Sequence, residues 1–362
     1  MLNGLLHFNR RDVLFLCSSP IDEVWIRTTA LCCRAAGLKI EVALCGGRDD
    51  EGAALLAPYR KAGIPARAGV SFAAAARVRC AIAVTASSGL DRRIFPTRAR
   101  YFLHMPHSLA SLHMIYPADA FDGYDLLLAA GPQHETEFLA IAAARGLPGR
   151  RALAAGYGKL DVLSQRAAQR SARAGGPPLA LVAPSWGPDN LLDRCGIALA
   201  TLLADRGFEV VIRPHPLFFL DRAPVLDAVR GLADRQPRVR LESPFGGDEA
   251  IFDADVLVGD YSGIGFEFAA LRRRPVVSVD VGLKVANPHW QALGLVPVEV
   301  ACRPLLGPIV APEVGAIADA VQACAGAAPP LPDETVARFL HGRPGDCGAR
   351  VAGLIRQLLE ME

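Results

Sequence analysis

The sequence predicts an α/β protein built from two Rossmann-like, doubly wound domains. Short, almost wholly apolar runs alternate with helical stretches through both halves, the mark of parallel sheets covered on both faces. The alternation breaks once, over residues 146–178, where glycine and proline cluster, and then restarts. With 362 residues and 51% hydrophobic content, the chain is too long for one ordinary domain and comfortable for two.

In the first half, residues 12–17 (DVLFLC) read as a strand and 21–36 as a helix. KIEVALCG, residues 39–46, is a second strand, followed by a helix over 50–63. Residues 81–87 (AIAVTAS), 101–105 (YFLHM) and 125–131 (DLLLAAG) complete the strands of this half. The break contains Gly146, Pro148, Gly149, Gly156, Gly158, Gly175, Gly176, Pro177 and Pro178, which puts a domain boundary near residue 175. The domains expected are therefore 1–174 and 175–362. In the second, residues 179–185 (LALVAPS) form a strand and 189–206 a helix. EVVIRPHP (209–216) begins as a strand, 221–235 is helical, and VRLES (239–243) is a short strand. DVLVGDYS (255–262) runs from strand into loop, GFEFAALRR (265–273) is a helix, and PVVSVD (275–280) a strand. Helices over 312–326 and 348–361 close the chain, and the last is free to pack back on the first domain. Two such halves match the glycosyltransferase B architecture, in which the domains face a central cleft. Ligands of doubly wound sheets bind beyond the carboxyl ends of the strands.

Composition excludes several function classes. Lys and Arg number 39 against 37 Asp and Glu, a net charge of +2, so nothing points to nucleic acid as a partner. Lysine is scarce: Lys39, Lys61, Lys159 and Lys284 are the only ones. Nine scattered cysteines without a CxxC pair argue against a zinc ribbon or redox motif and fit reduced thiols in a cytosolic protein. The first 20 residues lack the long uninterrupted apolar run of a signal peptide, and no stretch reaches the roughly 20 apolar residues of a membrane span. A cytoplasmic location is expected, compatible with peripheral contact at the inner face of the membrane. The basic run Arg92, Arg93, Arg98 and Arg100 could face anionic polymer or lipid headgroups, or form a solvated loop.

Three strand ends in the second half carry polar groups: Ala183-Pro184-Ser185-Trp186-Gly187, Arg213-Pro214-His215-Pro216, and Asp260-Tyr261-Ser262-Gly263-Ile264-Gly265. The last lies between a strand and a helix and brings backbone N–H groups to a helix N-terminus, a setting suited to a pyrophosphate. Asp260 and Ser262 could instead simply cap that helix. Asp253-Ala254-Asp255 has the spacing of an Asp-x-Asp metal motif but precedes a buried strand and reads as the turn entering it. No metal and no cofactor are expected.

The order Ala-Pro-Ser-Trp, Arg-Pro-His-Pro, Asp-Tyr-Ser, helix, Pro-Val-Val strand resembles the CDP-glycerol glycerophosphotransferase family, the teichoic-acid primases and polymerases and their capsule-polymer relatives. Gly156-Tyr157-Gly158-Lys159-Leu160-Asp161 is similar to that family's Gly-Tyr-Pro-Arg-x-Asp stretch, and His104-Met105-Pro106-His107-Ser108 falls where the family carries a Trp-His-Gly-type histidine motif. The resemblance covers roughly residues 95–285. It departs from the family where Gly187 follows Trp186, where Gly263 replaces a second serine, and where no Trp-His-Gly is present.

The resemblance implies transfer of glycerol or ribitol phosphate from a CDP-activated donor to a hydroxyl of a surface-polymer or lipid-linked acceptor. In that scheme His107 is the general base, with His104 the alternative, and His113 is structural. Arg213 and His215 meet the donor phosphates, His215 counting also among the catalytic residues, with Ser185, Trp186, Asp260, Tyr261, Ser262 and Gly263 around the nucleotide. Glu267, one turn into the helix, would reach a ribose. Three other readings share the fold: a glycosyltransferase using CMP-Kdo or a UDP-sugar, a nucleotide-sugar 2-epimerase, and a non-catalytic nucleotide-binding scaffold.

Overall fold

The computed structural model describes residues 11–45, 49–75, 77–90, 99–171, 173, 175–243, 249–326 and 329–361. The chain forms two compact units. Unit 1 comprises Met1–Arg166, Ala286–Leu295 and Leu340–Glu362, and unit 2 comprises Ala167–Val285 and Val296–Phe339.

Unit 1 is built on a parallel sheet of β1 (Arg11–Cys17), β2 (Ile40–Cys45), β3 (Ala66–Val70), β4 (Cys80–Thr85), β5 (Tyr101–His104), β6 (Leu126–Ala129) and β7 (Arg151–Ala154). Their order is β3-β2-β1-β4-β5-β6-β7. Successive residues of β1 serve opposite faces, as strand geometry requires. Val13 and Phe15 pack with Ile26, Ala30, Val351 and Ile355 of the helices Glu23–Ala35 and Cys347–Glu360. Leu14 and Leu16 pack with Phe102, Phe121, Leu127 and Phe138 on the other face. The central strands β2 and β4 are buried along their whole length, which is why they read as unbroken apolar runs.

The C-terminal helix is fastened to unit 1 by Asp161. Its carboxylate accepts N–H bonds from Gly345 (3.0 Å), Cys347 (3.2 Å) and Gly348 (2.7 Å). A buried carboxylate at a helix N-terminus meets both the orphan N–H groups and the helix dipole. Burial nonetheless raises the Asp161 pKa above the ordinary carboxylate value, because desolvation outweighs the bonds from these three amides and from the Thr28 hydroxyl that lower it.

Unit 2 holds a second parallel sheet, β8 (Leu179–Ala183), β9 (Glu209–Ile212), β10 (Val239–Leu241), β11 (Val256–Gly259), β12 (Val276–Val279) and β13 (Ile309–Val310). The order, β10-β9-β8-β11-β12-β13, repeats that of unit 1. Ala180, Val182, Val210, Ile212, Val256 and Val258 meet Leu199, Leu203, Val229 and Ile317 in its core. In each unit the strand order reverses once, between β1 and β4 and between β8 and β11. That switch point opens the crevice where doubly wound folds bind ligands.

The expected two parallel α/β sheets are present, with more strands than the apolar runs announce. β3, β7 and β13 were not anticipated. β3 (ARAGV) alternates between half-buried and exposed positions, and β7 (RALA) carries no β-branched residue. Both are edge strands held by the sheet beside them rather than by their own composition. The glycine-rich stretch 146–178 accordingly holds β7 and the helix Gly158–Ala168. All nine cysteines are free thiols. Among the described residues no helix is long and apolar enough to cross a membrane.

Candidate functional site

At the switch point of unit 2, β11 runs beside β8 with Gly259 opposite Ala183, so the loops that follow start side by side. Asp260 joins them. Its Oδ1 accepts the Ser185 N–H at 2.9 Å and its Oδ2 the Leu191 N–H at 2.8 Å. The side chain is 5% exposed. Asp260 is thus a brace of the β8 loop, and both its oxygens are occupied by main-chain donors. Asn190 closes the same loop from within, donating to Gly187 O at 2.9 Å and to Asp193 at 2.7 Å.

The helix Gly263–Arg272 starts here, and Ser262 is its N-cap residue with extended backbone. Ser262 makes no capping bond with its side chain, and Asp260 is turned to the β8 loop, so neither serves as the simple cap their types allow. The first-turn N–H groups at Gly263, Ile264 and Gly265 are left at the positive end of a ten-residue helix. A cavity of about 10 Å³, lined by Ser262, Gly265, Ser278 and Arg303, lies at the base of this turn and has room for about one water.

The other expected residues surround the same strand ends. Trp186 is 45% exposed, with its ring 6.3 Å from that of His215. His215 Nδ1 accepts the Leu217 N–H at 3.3 Å. Neutral His215 then carries its proton on Nε2, which makes that nitrogen a donor. Arg213 is 7% exposed, and its guanidinium stands 3.7 Å from Glu242 Oε1. Tyr261 donates its hydroxyl to Asp280 at 2.7 Å, and Arg303 stacks 3.9 Å from its ring centroid. Glu267 is buried within the helix. Asp253 pairs with Arg170 at 2.9 Å and Asp255 accepts the Leu179 N–H at 3.0 Å, so the Asp-x-Asp pair is engaged in holding β8 and β11. Among the described residues no group of three or more His, Cys, Asp or Glu side chains gathers as a metal site.

Unit 1 places its own polar group at the matching point. Asp22 follows β1 and accepts bonds from Ser18 N (2.8 Å), Ser18 Oγ (2.7 Å), Ser19 N (3.1 Å) and Ser87 Oγ after β4 (3.2 Å). His107 lies in the loop after β5. Its Nδ1 is 2.8 Å from Ala86 O, so this nitrogen carries the proton and donates it to the carbonyl. Nε2 then accepts from the Tyr116 hydroxyl, 3.1 Å away. Trp25 packs edge-on to the imidazole and donates to Tyr157 Oη at 2.8 Å, and Tyr157 donates in turn to His107 O at 2.9 Å. Burial lowers the His107 pKa below its ordinary 6.5, opposed by the Ala86 bond and the Asp22 charge. The ring is therefore neutral at pH 7 with a lone pair on Nε2.

His104 differs. It sits on β5, fully buried between the rings of Phe121 and Tyr124, and its Nδ1 donates to Ser87 O at 3.1 Å. His113 is buried beside Glu137, 3.2 Å from its Oε1, and edges the ring of Trp290. Of the basic run, Arg92, Arg93 and Arg98 lie outside the described residues, and Arg100 is exposed beside Tyr101. Tyr116, Trp25 and Asp22 lie in no sequence motif; Tyr157 belongs to the 156–161 stretch and Lys284 is one of the few lysines, but the sequence assigned neither a role. The close packing of that stretch shows only in space, where a Cβ on Gly158 would collide with the Trp25 carbonyl.

No family model matches the chain, and no curated protein matches it in sequence. Solved structures match its fold over nearly its full length. A UDP-GlcNAc 2-epimerase from Neisseria meningitidis bound to UDP-GlcNAc is 11% identical with a TM-score of 0.60, covering 97% of this chain and 100% of that one. MnaA from S. aureus, bound to UDP, is 9% identical with a TM-score of 0.60, over 97% and 96% of the two chains. Anabaena HepE in complex with UDP and glucose is 11% identical with a TM-score of 0.50, covering 97% of this chain and 98% of that one. At these identities the likeness shows the two-domain glycosyltransferase B fold.

Proposed function

We propose that the chain is a transferase that moves a polyol phosphate from a CDP-activated donor to a hydroxyl acceptor in the synthesis of a bacterial cell-surface polymer. The observation that carries this reading is the group of hydrogen-bond donors around the β8–β11 switch point. The uncapped first turn of Gly263–Arg272 and the Nε2–H of neutral His215 are suited to the charge of a diphosphate, and Arg213, two residues before His215 at the end of β9, is the arginine of the same strand end. Ser185, Trp186, Tyr261 and Ser262 stand at the same strand ends, Asp260 holds the β8 loop through Ser185 N and Leu191 N, and Glu267, one turn into the helix, is the carboxylate assigned to a ribose.

In the reaction, the acceptor oxygen attacks the phosphorus that carries the polyol. A new phosphoester bond forms, the bond to CMP breaks, and CMP leaves with the electron pair. The acceptor's proton passes to His107 Nε2, the one ring nitrogen not already protonated. Tyr116 holds that nitrogen until the acceptor arrives, and the Ala86 carbonyl fixes the tautomer.

Transfer of a sugar from a nucleotide sugar is the second reading, favoured by the neighbours that hold UDP-GlcNAc, or UDP and glucose. A donor screen separates the two. Purified protein is incubated with CDP-glycerol, CDP-ribitol, CMP-Kdo and UDP-GlcNAc, each with and without a hydroxyl acceptor, and free nucleotide is measured. Acceptor-dependent CMP from a CDP-polyol supports the proposal. UDP or CMP released only from sugar donors replaces it with the second reading, and interconversion of UDP-GlcNAc without nucleotide release would identify an epimerase.

A further inference from the structure

Lys284, one of four lysines in the chain, lies after β12 in unit 2. Its Nζ is shielded from solvent, and among the described residues no acceptor bonds to it. It stands 5.1 Å over the centroid of the Trp186 ring and 3.8 Å from the place a Cβ on Gly187 would take. An ammonium withdrawn from water without an acceptor is costly, and a cation–π contact makes up only part of the loss. The penalty shows in its pKa, which burial lowers to about 8, while the neighbouring charge of Asp260 works the other way. Ser185, in the same loop as Trp186, is 1% exposed, and among the described residues its Oγ likewise has no hydrogen-bond partner.

Two buried donors without a described acceptor thus belong to the β8 loop or lie against it: Ser185 within the loop and Lys284 over Trp186, with the loop's backbone tied by Asp260 to the turn leading into Gly263–Arg272. The glycine after Trp186 matters to this. Gly187 has φ +112°, a conformation open to glycine, and the lysine tip lies in van der Waals reach of the loop there, 3.8 Å from where a Cβ would stand. Asp260 makes no direct bond to the ammonium; its two oxygens hold Ser185 N and Leu191 N.

We propose that Lys284 is a ligand of the donor's diphosphate, with Ser185 Oγ beside it and the Trp186 ring as the platform that holds the ammonium in place. A diphosphate supplies the acceptors both groups lack, and the lysine adds a full charge to the helix N-terminus. This rests on the reading of unit 2 as the donor-binding unit.

The test compares wild type with Lys284→Met and Lys284→Gln. CDP, UDP, cytidine and inorganic pyrophosphate are titrated calorimetrically, and the melting temperature of each protein is measured without ligand. Loss of one charge-assisted contact should weaken the diphosphates about tenfold or more. Cytidine should bind the variants as it binds wild type, and the unliganded variants should melt no lower, because an unpaired buried charge has been removed. Wild-type binding of CDP or UDP that both variants retain at full strength would overturn the role of Lys284 and leave the donor reading intact. Binding of pyrophosphate but neither nucleotide, lost in the variants, would keep Lys284 as an anion ligand and remove the donor reading. No binding of any of the three phosphate-bearing probes by wild type would overturn both.

Discussion

Asp260→Asn separates a brace from a ligand. In the native protein one carboxylate oxygen accepts Ser185 N–H at 2.9 Å and the other Leu191 N–H at 2.8 Å. The amide that replaces it retains one acceptor and turns an NH₂ toward the second main-chain N–H. One charge-assisted bond, about 1.5–3 kcal/mol, is lost, and a buried N–H is left facing another donor. Relief of burying the negative charge offsets part of this, so a net loss of about 2–4 kcal/mol is expected. For a domain of this size about 1 kcal/mol moves the melting temperature by 2–4 °C, so the transition should fall by about 4–16 °C. Hydrogen exchange gives the residue-level readout: the amides of Ser185 and Leu191 should lose protection while those of β1 and β2 keep theirs. A variant that melts within about 1 °C of wild type, with both amides still protected, would refute the brace and return Asp260 to the list of direct nucleotide ligands.

Four further outcomes are expected. His107→Ala should keep nucleotide affinity and lose at least ~10²-fold in turnover, whereas His104→Ala should chiefly lower the melting temperature because its ring fills the core between Phe121 and Tyr124. Since burial lowers the His107 pKa, the wild-type pH profile should rise with pH along an acid limb centred below 6.5, and a limb centred above 6.5 would exclude this base. Arg213→Ala should weaken CDP binding about tenfold or more, and unchanged calorimetric affinity would remove it from the site. Asp161→Ala should release the C-terminal helix by leaving the Gly345, Cys347 and Gly348 N–H groups unpaired, seen as earlier proteolysis within 340–361.

Lys284 adds a pH signature. With a folded pKa of about 8 against an ordinary 10.5, the unfolded chain binds the extra proton between those values, so this group makes stability rise with pH across that window. The charged neighbour acting on it is Asp260, and the Trp186 ring covers its ammonium. An anion bound to the protonated form should take up protons near pH 8.5 and bind more weakly at higher pH. Calorimetry of CDP binding in buffers of different ionisation enthalpy measures that uptake.

The fold was legible where burial dictates composition. β1, β2, β4, β8 and β11 are buried on both faces and stand out as apolar runs. β3, β7 and β13 take their stability from a neighbouring strand: the alanine, glycine and arginine of β3 and β7 carry little local signal, and β13 is only the two residues Ile309 and Val310. The strand-end motifs were legible for a related reason: in a doubly wound sheet the chemistry follows directly after the strand, so Ser185, Arg213 and Asp260 are contiguous with recognisable elements. Their individual duties were not. Asp260 looks like a ligand in sequence and holds two backbone N–H groups in space. Lys284 and Tyr116 gain their meaning only from partners brought to them by the fold, Trp186 in one case and His107 in the other.

The account centres on donor binding at the β8–β11 switch point, and a crystal structure of the protein soaked with CDP tests it most directly. The diphosphate should lie on the N–H groups of Gly263 and Ile264, within hydrogen-bonding reach of Lys284 Nζ and His215 Nε2. A nucleotide bound elsewhere, or a first turn of Gly263–Arg272 left bare at saturating CDP, would contradict it.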